Sequence, residues 1–496
     1  MATVPQNLLI LDRRDNVGVV VAAGGPIKVG HKIAVSTILA GTPVVKFGHV
    51  IGVASQNIAA GEHVHVHNVV MPPQALIRGD AEAVHAAAPI QAGLPDTFQG
   101  YLRDNKTAGV RNYVLVVASV NCSATVVKAV CRHFLGKDLA AIGVDGVVPV
   151  CHASGCAQAV GGESYQVLNR TLAGWVFHPN VVGAVVIGLG CEGTTFKSIL
   201  ETKRTSGLDS EIPLETLNIQ DVGGTAETIA EAIRRVEKVL SSLPRFARQE
   251  LPVSHLGLAL NCGGSDAFSA LTANPALGLA SDVLVSKGGM VALAEIPECH
   301  GAEDLLYRRA ASDQVRRKLD TVFAWWQDYA ARQKVTLNAN LAPGNIEGGI
   351  TTIIEKSLGA VAKGGTSPLT QVVDYAERIT QKGFTLMNTP GFDPVSVTGL
   401  VAGGCQLVAF TTGRGSVYGC SIAPTIKIAT RTELFERMRG DMDIDAGKAL
   451  ATGSVDQVAA DIYRLAVSAA SGVKTCSETL GLGWEEFTPW PIGETL

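Results

Sequence analysis

Four apolar runs that each end at a cysteine constrain the fold of this chain more than any other feature. They are YVLVVASVNC, DGVVPVCHASGC, VVGAVVIGLGC and HLGLALNC. The runs are unbroken rather than alternating, which is typical of strands in a parallel sheet that is buried on both faces. Helical patterns lie between them, as in TAETIAEAIRRVEKVLSSL. The sequence therefore predicts an α/β region with parallel, Rossmann-like sheets.

The N-terminal segment has a different pattern of apolar residues and turns. Residues 15–70 carry short β-rich runs separated by Gly and Pro turns, which predicts a small all-β domain. A chain of 496 residues is too long for one core, so several domains are expected. We predict an all-β domain over 1–72, a Pro- and Ala-rich linker over 73–97, and two α/β domains over 98–250 and 251–496.

Charge and composition exclude several classes of protein. The net charge is −4 with no basic block, so nucleic-acid binding has no electrostatic support. The N-terminus lacks the order of a signal peptide, and no apolar run is long enough to span a membrane. The ten cysteines lie within apolar runs of a large chain, which favours a reducing cytosol. We expect a cytoplasmic protein without nucleic-acid or membrane partners, and homo-oligomerisation stays open.

The cysteines at the predicted strand ends are the first candidate site. Cys122, Cys156, Cys191 and Cys262 each stand at or just past the end of an apolar run. Sites in open parallel sheets form outside the carboxyl ends of the strands, where distant residues converge. Thiolates there can hold iron or an iron–sulfur cluster. The alternative is that cysteine simply packs well at strand ends, and the spacing fits no known cluster or zinc signature.

The segment GEHVHVHN is the second candidate. His63, His65 and His67 alternate, so on a strand their side chains would share one face. Three imidazoles on one face can bind a divalent metal or transfer protons. The alternative is a polar, solvated face. His31 and Lys32 form a second polar pair in the same domain.

Gly-rich polar turns are the third candidate. They are CGGSD at 262–266, GCEGTT at 190–195, APGNIEGG at 342–349 and TGRGSVYG at 412–419. Such turns can bind carboxylates or phosphates through free backbone N–H groups. None matches a dinucleotide or P-loop fingerprint. Arg414, between two glycines, can hold a carboxylate by two parallel hydrogen bonds, so the turns together favour a small anionic ligand.

These motifs together resemble one enzyme family over nearly the full length. The segments GHKIAV, HVIGVAS and GEHVHVHN resemble the SAF (β-clip) domain of the altronate/galactarate dehydratases. GYLRDNKTAGVRNYVL is similar to the opening of the family's main domain. IGLGCE, CGGSDAFSALTANPALG, PGNIEGGITTIIEKSLG, FTTGRGSVYG and PTIKIATRTEL resemble its later motifs in the same order.

The resemblance implies a hydro-lyase that removes water from a hexonate or hexarate to give a 2-keto-3-deoxy acid. It also implies a divalent metal, usually iron. We expect Fe²⁺ as the cofactor, with an iron–sulfur cluster or another divalent metal such as Mn²⁺ as alternatives. On this basis the candidate acid–base or metal-proximal residues are His31, Lys32 and His65. The candidate substrate-binding residues are Gly263, Gly264, Ser265, Asp266 and Arg414. The candidate iron ligands are Cys122, Cys156, Cys191 and Cys262.

Departures from the family pattern concern the substrate. His65 stands where galactarate-type members tend to have an acidic residue, so the chain resembles the altronate branch. The usual Thr-Pro after Gly-Arg-Gly is Ser416-Val417 here, and Ser154 replaces a usual Tyr. Other readings stay open: a lyase on another 2-hydroxy acid such as sulfolactate, a nucleotide-dependent oxidoreductase, or a non-catalytic sugar-acid-binding protein.

Overall fold

The N-terminal part of the protein is a small, entirely β domain, as predicted. The computed structural model describes residues 7–73, 76, 93–156 and 158–492, so most of the predicted linker, 73–97, lies outside the described residues. Two antiparallel sheets form the domain, in the orders β1-β2-β3-β6 and β4-β5-β7. The strands are β1 (Leu8–Leu9), β2 (Val17–Val20), β3 (Lys32–Ala34), β4 (Pro43–Lys46), β5 (His49–Ala54), β6 (His63–Val64) and β7 (Val69–Val70).

The middle region contains a parallel sheet of four described strands. Its order is β11-β10-β12-β13, with strands β10 (Tyr113–Ala118), β11 (Gly146–Val150), β12 (Val181–Gly188) and β13 (Leu214–Asn218). Its helices are α1 (Ala124–Phe134), α2 (Glu163–Val176), α3 (Phe196–Thr205), α4 (Ile219–Val222) and α5 (Thr225–Ser242). Every residue of β12 is buried, which accounts for its unbroken apolar sequence.

A small antiparallel sheet joins this region to the next. It has the order β14-β8-β9, with β8 (Thr97–Leu102), β9 (Ala108–Gly109) and β14 (Gln249–Pro252). The predicted domain boundary between residues 250 and 251 falls inside β14. That boundary stays a prediction.

The C-terminal region is built on a parallel sheet of seven described strands. The order is β17-β18-β16-β15-β19-β20-β21. The strands are β15 (Gly257–Cys262), β16 (Met290–Leu293), β17 (Leu369–Val373), β18 (Gly383–Met387), β19 (Leu407–Thr412), β20 (Thr425–Ala429) and β21 (Ile444–Asp445). The α/β class with parallel sheets is therefore confirmed.

Helices pack against this sheet. They are α6 (Ala273–Ser286), α7 (Glu303–Arg309), α8 (Asp313–Arg332), α9 (Pro343–Glu347), α10 (Ile353–Ala362), α11 (Asp393–Ala402), α12 (Thr432–Arg437), α13 (Lys448–Thr452), α14 (Asp456–Ala470) and α15 (Cys476–Thr479). Within the described ranges, no helix combines the length and apolar character that crossing a bilayer requires.

The β domain packs on the carboxyl edge of the seven-stranded sheet. The hydroxyl of Thr352, which caps α10, donates a hydrogen bond to the Ile51 carbonyl in β5. Gly349 has a φ of 97°, and a Cβ there would lie 2.4 Å from the carbonyl oxygen of Gly30. Only glycine permits this approach. The contact places His31 and its neighbours over the predicted Gly-rich turns.

Candidate active site

Three histidines of the β domain meet at this contact. His31 precedes β3, His63 begins β6, and His65 lies in the turn that follows. Each offers a ring nitrogen, and these atoms all lie within 4.8 Å of one another. The predicted alternating strand is shorter than expected, because β6 ends at Val64 and Asn68 closes a turn by hydrogen bonds to the backbone of residues 63 and 65. The imidazoles converge nevertheless.

The hydrogen bonds of His31 define its tautomer. Its Nε2 lies 3.1 Å from the Glu347 carbonyl oxygen, which can only accept, so Nε2 carries the proton. Its Nδ1 then presents a lone pair and lies 3.0 Å from His63 Nε2. A histidine that donates one N–H to a backbone carbonyl and directs the other nitrogen inward has the arrangement typical of metal ligands.

Burial keeps these imidazoles neutral. It lowers the pKa of His63 and of His65 to about 4, with smaller contributions from neighbouring positive groups such as Lys32. Burial also lowers the pKa of His31. Neutral imidazole is the form that binds metals.

The three-histidine cluster fits a divalent cation. Nδ1 of His65 is buried and has no hydrogen-bond partner among the described residues, which is costly for a polar atom unless something binds it. The 3.0 Å between the His31 and His63 nitrogens matches two ligands at about 2.1 Å from one ion at a right angle. The residues present therefore suit a metal with nitrogen ligands.

Lys32 holds the β domain in place. Its Nζ is fully buried, 2.6 Å from the Gly349 carbonyl and within 3.0 Å of both oxygens of Glu355. Lys46 binds the same carboxylate at 2.8 Å. Burial lowers the pKa of Lys32 to about 8. Burial alone would raise the pKa of Glu355, but the two ammonium groups hold it well below its usual range.

Arg414 lies beside this cluster on the main domain. Its guanidinium is 3.0 Å from the carboxylate of Glu347, whose backbone carbonyl faces His31. The side chains of Arg414 and Glu347 are 42% and 68% exposed, so a ligand can reach both. The Gly264 carbonyl accepts hydrogen bonds from the backbone N–H groups of Gly413 and Arg414, which joins two of the predicted turns.

Ser265 and Asp266 are buried beneath that surface. The hydroxyl of Ser265 donates to the Gly263 carbonyl at 3.2 Å. The carboxylate of Asp266 accepts from the N–H of Ser269 at 3.0 Å and lies 3.3 Å from the guanidinium of Arg431. Both side chains are thus satisfied within the protein, and their predicted contact with substrate stays a prediction.

Three of the four predicted iron ligands lie at one edge of the four-stranded sheet. Cys122, Cys156 and Cys191 are exposed, in loops that follow the neighbouring strands β10, β11 and β12. Asn121 donates its backbone N–H to the Ser154 carbonyl, so two of the loops are hydrogen-bonded to each other. The three sulfur atoms are not among the described groups whose donor atoms lie within 4.8 Å of one another. Their role as ligands stays a prediction.

Cys262 ends a strand of the other sheet and is buried. Its sulfur lies 2.7 Å from Lys363 Nζ and 3.3 Å from a carboxylate oxygen of Glu298. Glu295 completes a second group of possible metal ligands with Cys262 and Glu298. However, Lys356 binds Glu298 at 2.7 Å and Lys363 lies 3.6 Å from Glu295. Two ammonium groups thus already face this cluster. Burial and the neighbouring Glu298 raise the pKa of Glu295 to about 8, which favours its protonated form at neutral pH.

Sequence reasoning did not find several residues of these clusters. Glu347, Glu355, Glu295, Glu298 and Lys363 reach the sites from separate elements. Two local signals existed. Glu355 and Lys356 are a charged pair within the apolar helix IIEKSLGAVA, and AEIPEC places two glutamates directly after an apolar strand. Both positions are anomalous unless the charges meet partners in the fold.

Comparisons with known proteins agree with this architecture. The profile of the altronate/galactarate dehydratase SAF domain matches residues 15–72. The profile of the second domain of D-galactarate dehydratase/altronate hydrolase matches 100–243, and that of the D-galactarate/altronate dehydratase C-terminal domain matches 253–495.

Individual relatives are similar over most of their length. An altronate dehydratase of Bacillus subtilis (strain 168) is 36% identical over 87% of this chain and 84% of its own. An altronate dehydratase of Escherichia coli (strain K12) is 34% identical over 90% and 89%. A galactarate dehydratase (L-threo-forming) of the same strain is 35% identical over 93% and 90%.

The profiles and the named relatives, together with the β domain over the edge of a parallel sheet, show a hydro-lyase that acts on a sugar acid. The chain belongs to the altronate/galactarate dehydratase family. The family suggests a divalent metal, and the described residues contain two groups that could hold one.

Proposed function

We propose that this dehydratase acts on an aldonate, with altronate as the first candidate, at the contact between the β domain and the C-terminal region. The observation that carries the proposal is the three-histidine cluster joined through Glu347 to Arg414. Two relatives of this chain are altronate dehydratases, and an aldonate has one carboxylate, for which Arg414 is the nearby guanidinium.

We assign the metal to His31, His63 and His65, with Fe²⁺ as the first candidate and Mn²⁺ as the second. Neutral imidazoles suit first-row divalent ions. When bound, such an ion stabilises negative charge that develops next to the substrate carboxylate. The buried, unpartnered His65 Nδ1 supports this assignment over the Cys262 cluster, where Lys363 lies against the sulfur.

The residues of the chain must remove the proton α to the carboxylate and help the 3-hydroxyl leave. In this proposal the substrate carboxylate displaces Glu347 from Arg414. The freed Glu347 carboxylate then lies beside the α-carbon and accepts its proton. The 3-hydroxyl takes up this proton from Glu347 and leaves as water, which gives an enol that rearranges to the 2-keto-3-deoxy acid.

The remaining predicted residues position these groups. Lys32 fixes the strand that carries His31 by its bonds to Gly349 and Glu355. Gly263 and Gly264 allow the close approach of two turns, since a Cβ on Gly264 would lie 3.0 Å from the Cβ of Arg414. Ser265 and Asp266 stabilise the turn at 262–266 by their hydrogen bonds to Gly263 and Ser269.

A substrate panel tests the assignment. Purified enzyme, loaded with ferrous ion under reducing conditions, is assayed for release of 2-keto acid from altronate, galactarate and sulfolactate. The proposal expects the highest kcat/KM with altronate. A higher value with galactarate would require a second cation for the second carboxylate, and release of sulfite from sulfolactate would identify a C–S lyase.

The proton-transfer role of Glu347 has its own test. Glu347→Gln removes the base but keeps the shape of the side chain, so kcat falls about 10²-fold or more while bound metal is retained. Glu436→Gln, an exposed change on α12, is the matched control. Wild-type kcat in the Glu347 variant would remove that residue from the mechanism.

Iron and sulfide analysis decides between the histidines and the exposed cysteines. The proposal expects iron without acid-labile sulfide in anaerobically purified enzyme, and loss of that iron in His65→Ala. Acid-labile sulfide that disappears in Cys191→Ser would instead assign an iron–sulfur cluster to Cys122, Cys156 and Cys191.

A further inference from the structure

The pair formed by Cys262 and Lys363 is unusually close. Cys262 Sγ lies 2.7 Å from Lys363 Nζ. By comparison, Cys151, Cys299 and Cys476 make hydrogen bonds through sulfur over 3.5 to 3.8 Å. A distance of 2.7 Å is that of a short N–H···O bond, and sulfur is larger than oxygen. The two atoms are therefore closer than a hydrogen bond between them requires.

The surroundings hold both groups in place. Cys262 is 3% exposed and Lys363 is fully buried. Glu295 lies 3.8 Å from the sulfur and 3.6 Å from the ammonium, and its Oε1 is buried without a hydrogen-bond partner among the described residues. Glu295 also has a φ of 69°, a strained conformation of the kind that clusters at functional sites. The dehydration proposed above uses none of these groups.

We propose that Cys262 and Lys363 are a covalent redox modification site, at which dioxygen converts the thiol and the amine into an N–O–S bridge. The S–H bond and one N–H bond break, and S–O and O–N bonds form. The O–O bond breaks, and the second oxygen atom leaves as water with the two hydrogens. Sulfur and nitrogen each lose two electrons, and dioxygen gains four. This inference concerns a different site from the proposed reaction centre and does not depend on it.

The pair already holds the atoms that this reaction needs. A thiol and a neutral amine carry the three hydrogens that this reaction uses. A thiol that faces an ammonium carries one more, and the carboxylate of Glu298, 3.3 Å from the sulfur, can accept that proton. Burial raises the pKa of Cys262. Burial alone would lower the pKa of Lys363, but Cys262 and the neighbouring carboxylates raise it. Both directions favour a thiol that faces an ammonium, so one proton passes to a neighbouring carboxylate before the new bonds form.

A bridge here would link the two sides of the reaction centre. Lys363 directly follows α10, whose first turn carries Glu355, the partner of Lys32. Cys262 begins the turn whose Gly264 carbonyl binds the backbone of Arg414. Cross-linking also removes the ammonium charge that Glu295 faces at 3.6 Å. Oxidation therefore changes both the rigidity and the charge balance beneath the substrate-binding surface.

Peptide mass spectrometry of the wild-type enzyme tests the proposal directly. Metal-free protein is exposed to dioxygen or kept anaerobic, blocked with a thiol-alkylating reagent and digested. After oxygen exposure we expect a linked peptide pair containing residues 262 and 363, heavier than the sum of its parts by one oxygen and lighter by two hydrogens. The link disappears after treatment with dithiothreitol and is absent from the anaerobic sample.

Two variants provide the matched comparison. Lys363→Arg retains the positive charge but not the amine, so the linked pair is lost. Lys356→Arg, on the same helix, retains it, because Lys356 binds Glu298 rather than the sulfur. A fully alkylated Cys262 after oxygen exposure, oxidation to sulfinic acid without a link, or a link lacking the added oxygen would each overturn the proposal. The wild-type measurement decides the question even if a variant fails to fold.

Discussion

Two groups of side chains in this protein bring three potential metal ligands within the same distance of one another, yet they differ in charge balance. The group of His31, His63 and His65 contains neutral rings and an unpartnered nitrogen. The group of Cys262, Glu295 and Glu298 is fully buried and already faces two ammonium groups. Proximity of donor atoms alone therefore does not define a metal site. What distinguishes the two is whether the protein has already supplied the compensating charge.

Removing a histidine should have the largest effect on activity. His65→Ala is expected to lower kcat by about 10²- to 10⁴-fold and to abolish metal binding, because one of three ligands is lost. His67→Ala is the comparison variant, since His67 is exposed, lies two residues after His65 and is not one of the three clustered histidines, although its ring lies 5.4 Å from that of His63. Kinetics and metal analysis on both variants check this. If His65→Ala kept its metal and turnover, the histidine cluster would not be the reaction centre.

Breaking the charge balance of the other cluster should affect stability rather than metal content. Glu298→Gln leaves Lys356 buried without its carboxylate, which should cost about 3–5 kcal/mol of the free energy of unfolding. The denaturant midpoint measures this, with the exposed Glu436→Gln as control. Loss of bound metal from a stable Glu298→Gln variant would show instead that this cluster is the metal site.

The arginine beside the histidines should act mainly on substrate binding. Arg414→Gln is expected to raise KM about 10- to 100-fold, with a smaller change in kcat, because a charge-assisted hydrogen bond to the carboxylate is lost. Arg437→Gln, an exposed change on α12, is the control. An unchanged KM for the Arg414 variant would place the substrate carboxylate elsewhere.

The pH dependence of stability should have opposite signs at the two clusters. The pKa of His63 and of His65 falls from 6.5 to about 4 on burial, so the unfolded chain binds more protons and stability is lost as the pH falls from 6.5 towards 4. Burial and the neighbouring Glu298 raise the pKa of Glu295 from 4.5 to about 8. The folded protein then binds more protons, and stability is lost as the pH rises through that range.

Only part of each shift is expressed at any one pH, so these changes in stability are the smallest of the expected effects. Unfolding free energies of the metal-free wild type are measured between pH 4 and 8 and compared with those of His63→Gln and Glu295→Gln. His63→Gln should reduce the loss of unfolding free energy towards pH 4. Glu295→Gln should reduce the loss towards pH 8. If one variant reduced the loss of unfolding free energy at both ends of the pH range, the two clusters would not titrate independently.

The sequence predicted the fold class because strands buried on both faces, such as β12, have unbroken apolar sequences. It also identified His31, His65 and the Gly-rich turns as candidates, since GEHVHVHN and the turn motifs are local signals. Only the structure shows that they meet. It did not predict the partners Glu347 and Glu355, because a hydrogen bond and an ion pair between residues some 300 positions apart leave no local pattern. Four strand-end cysteines looked equivalent in sequence, but they end strands of two different sheets.

X-ray absorption at the iron edge tests the central claim, that the histidine cluster holds the metal of this dehydratase. The enzyme is loaded anaerobically with one ferrous ion, and the spectra of wild type and His65→Ala are compared. We expect nitrogen and oxygen ligands at about 2.0–2.2 Å in the wild type and loss of bound iron in the variant. Thiolate sulfur at about 2.3 Å, unchanged in the variant, would contradict it.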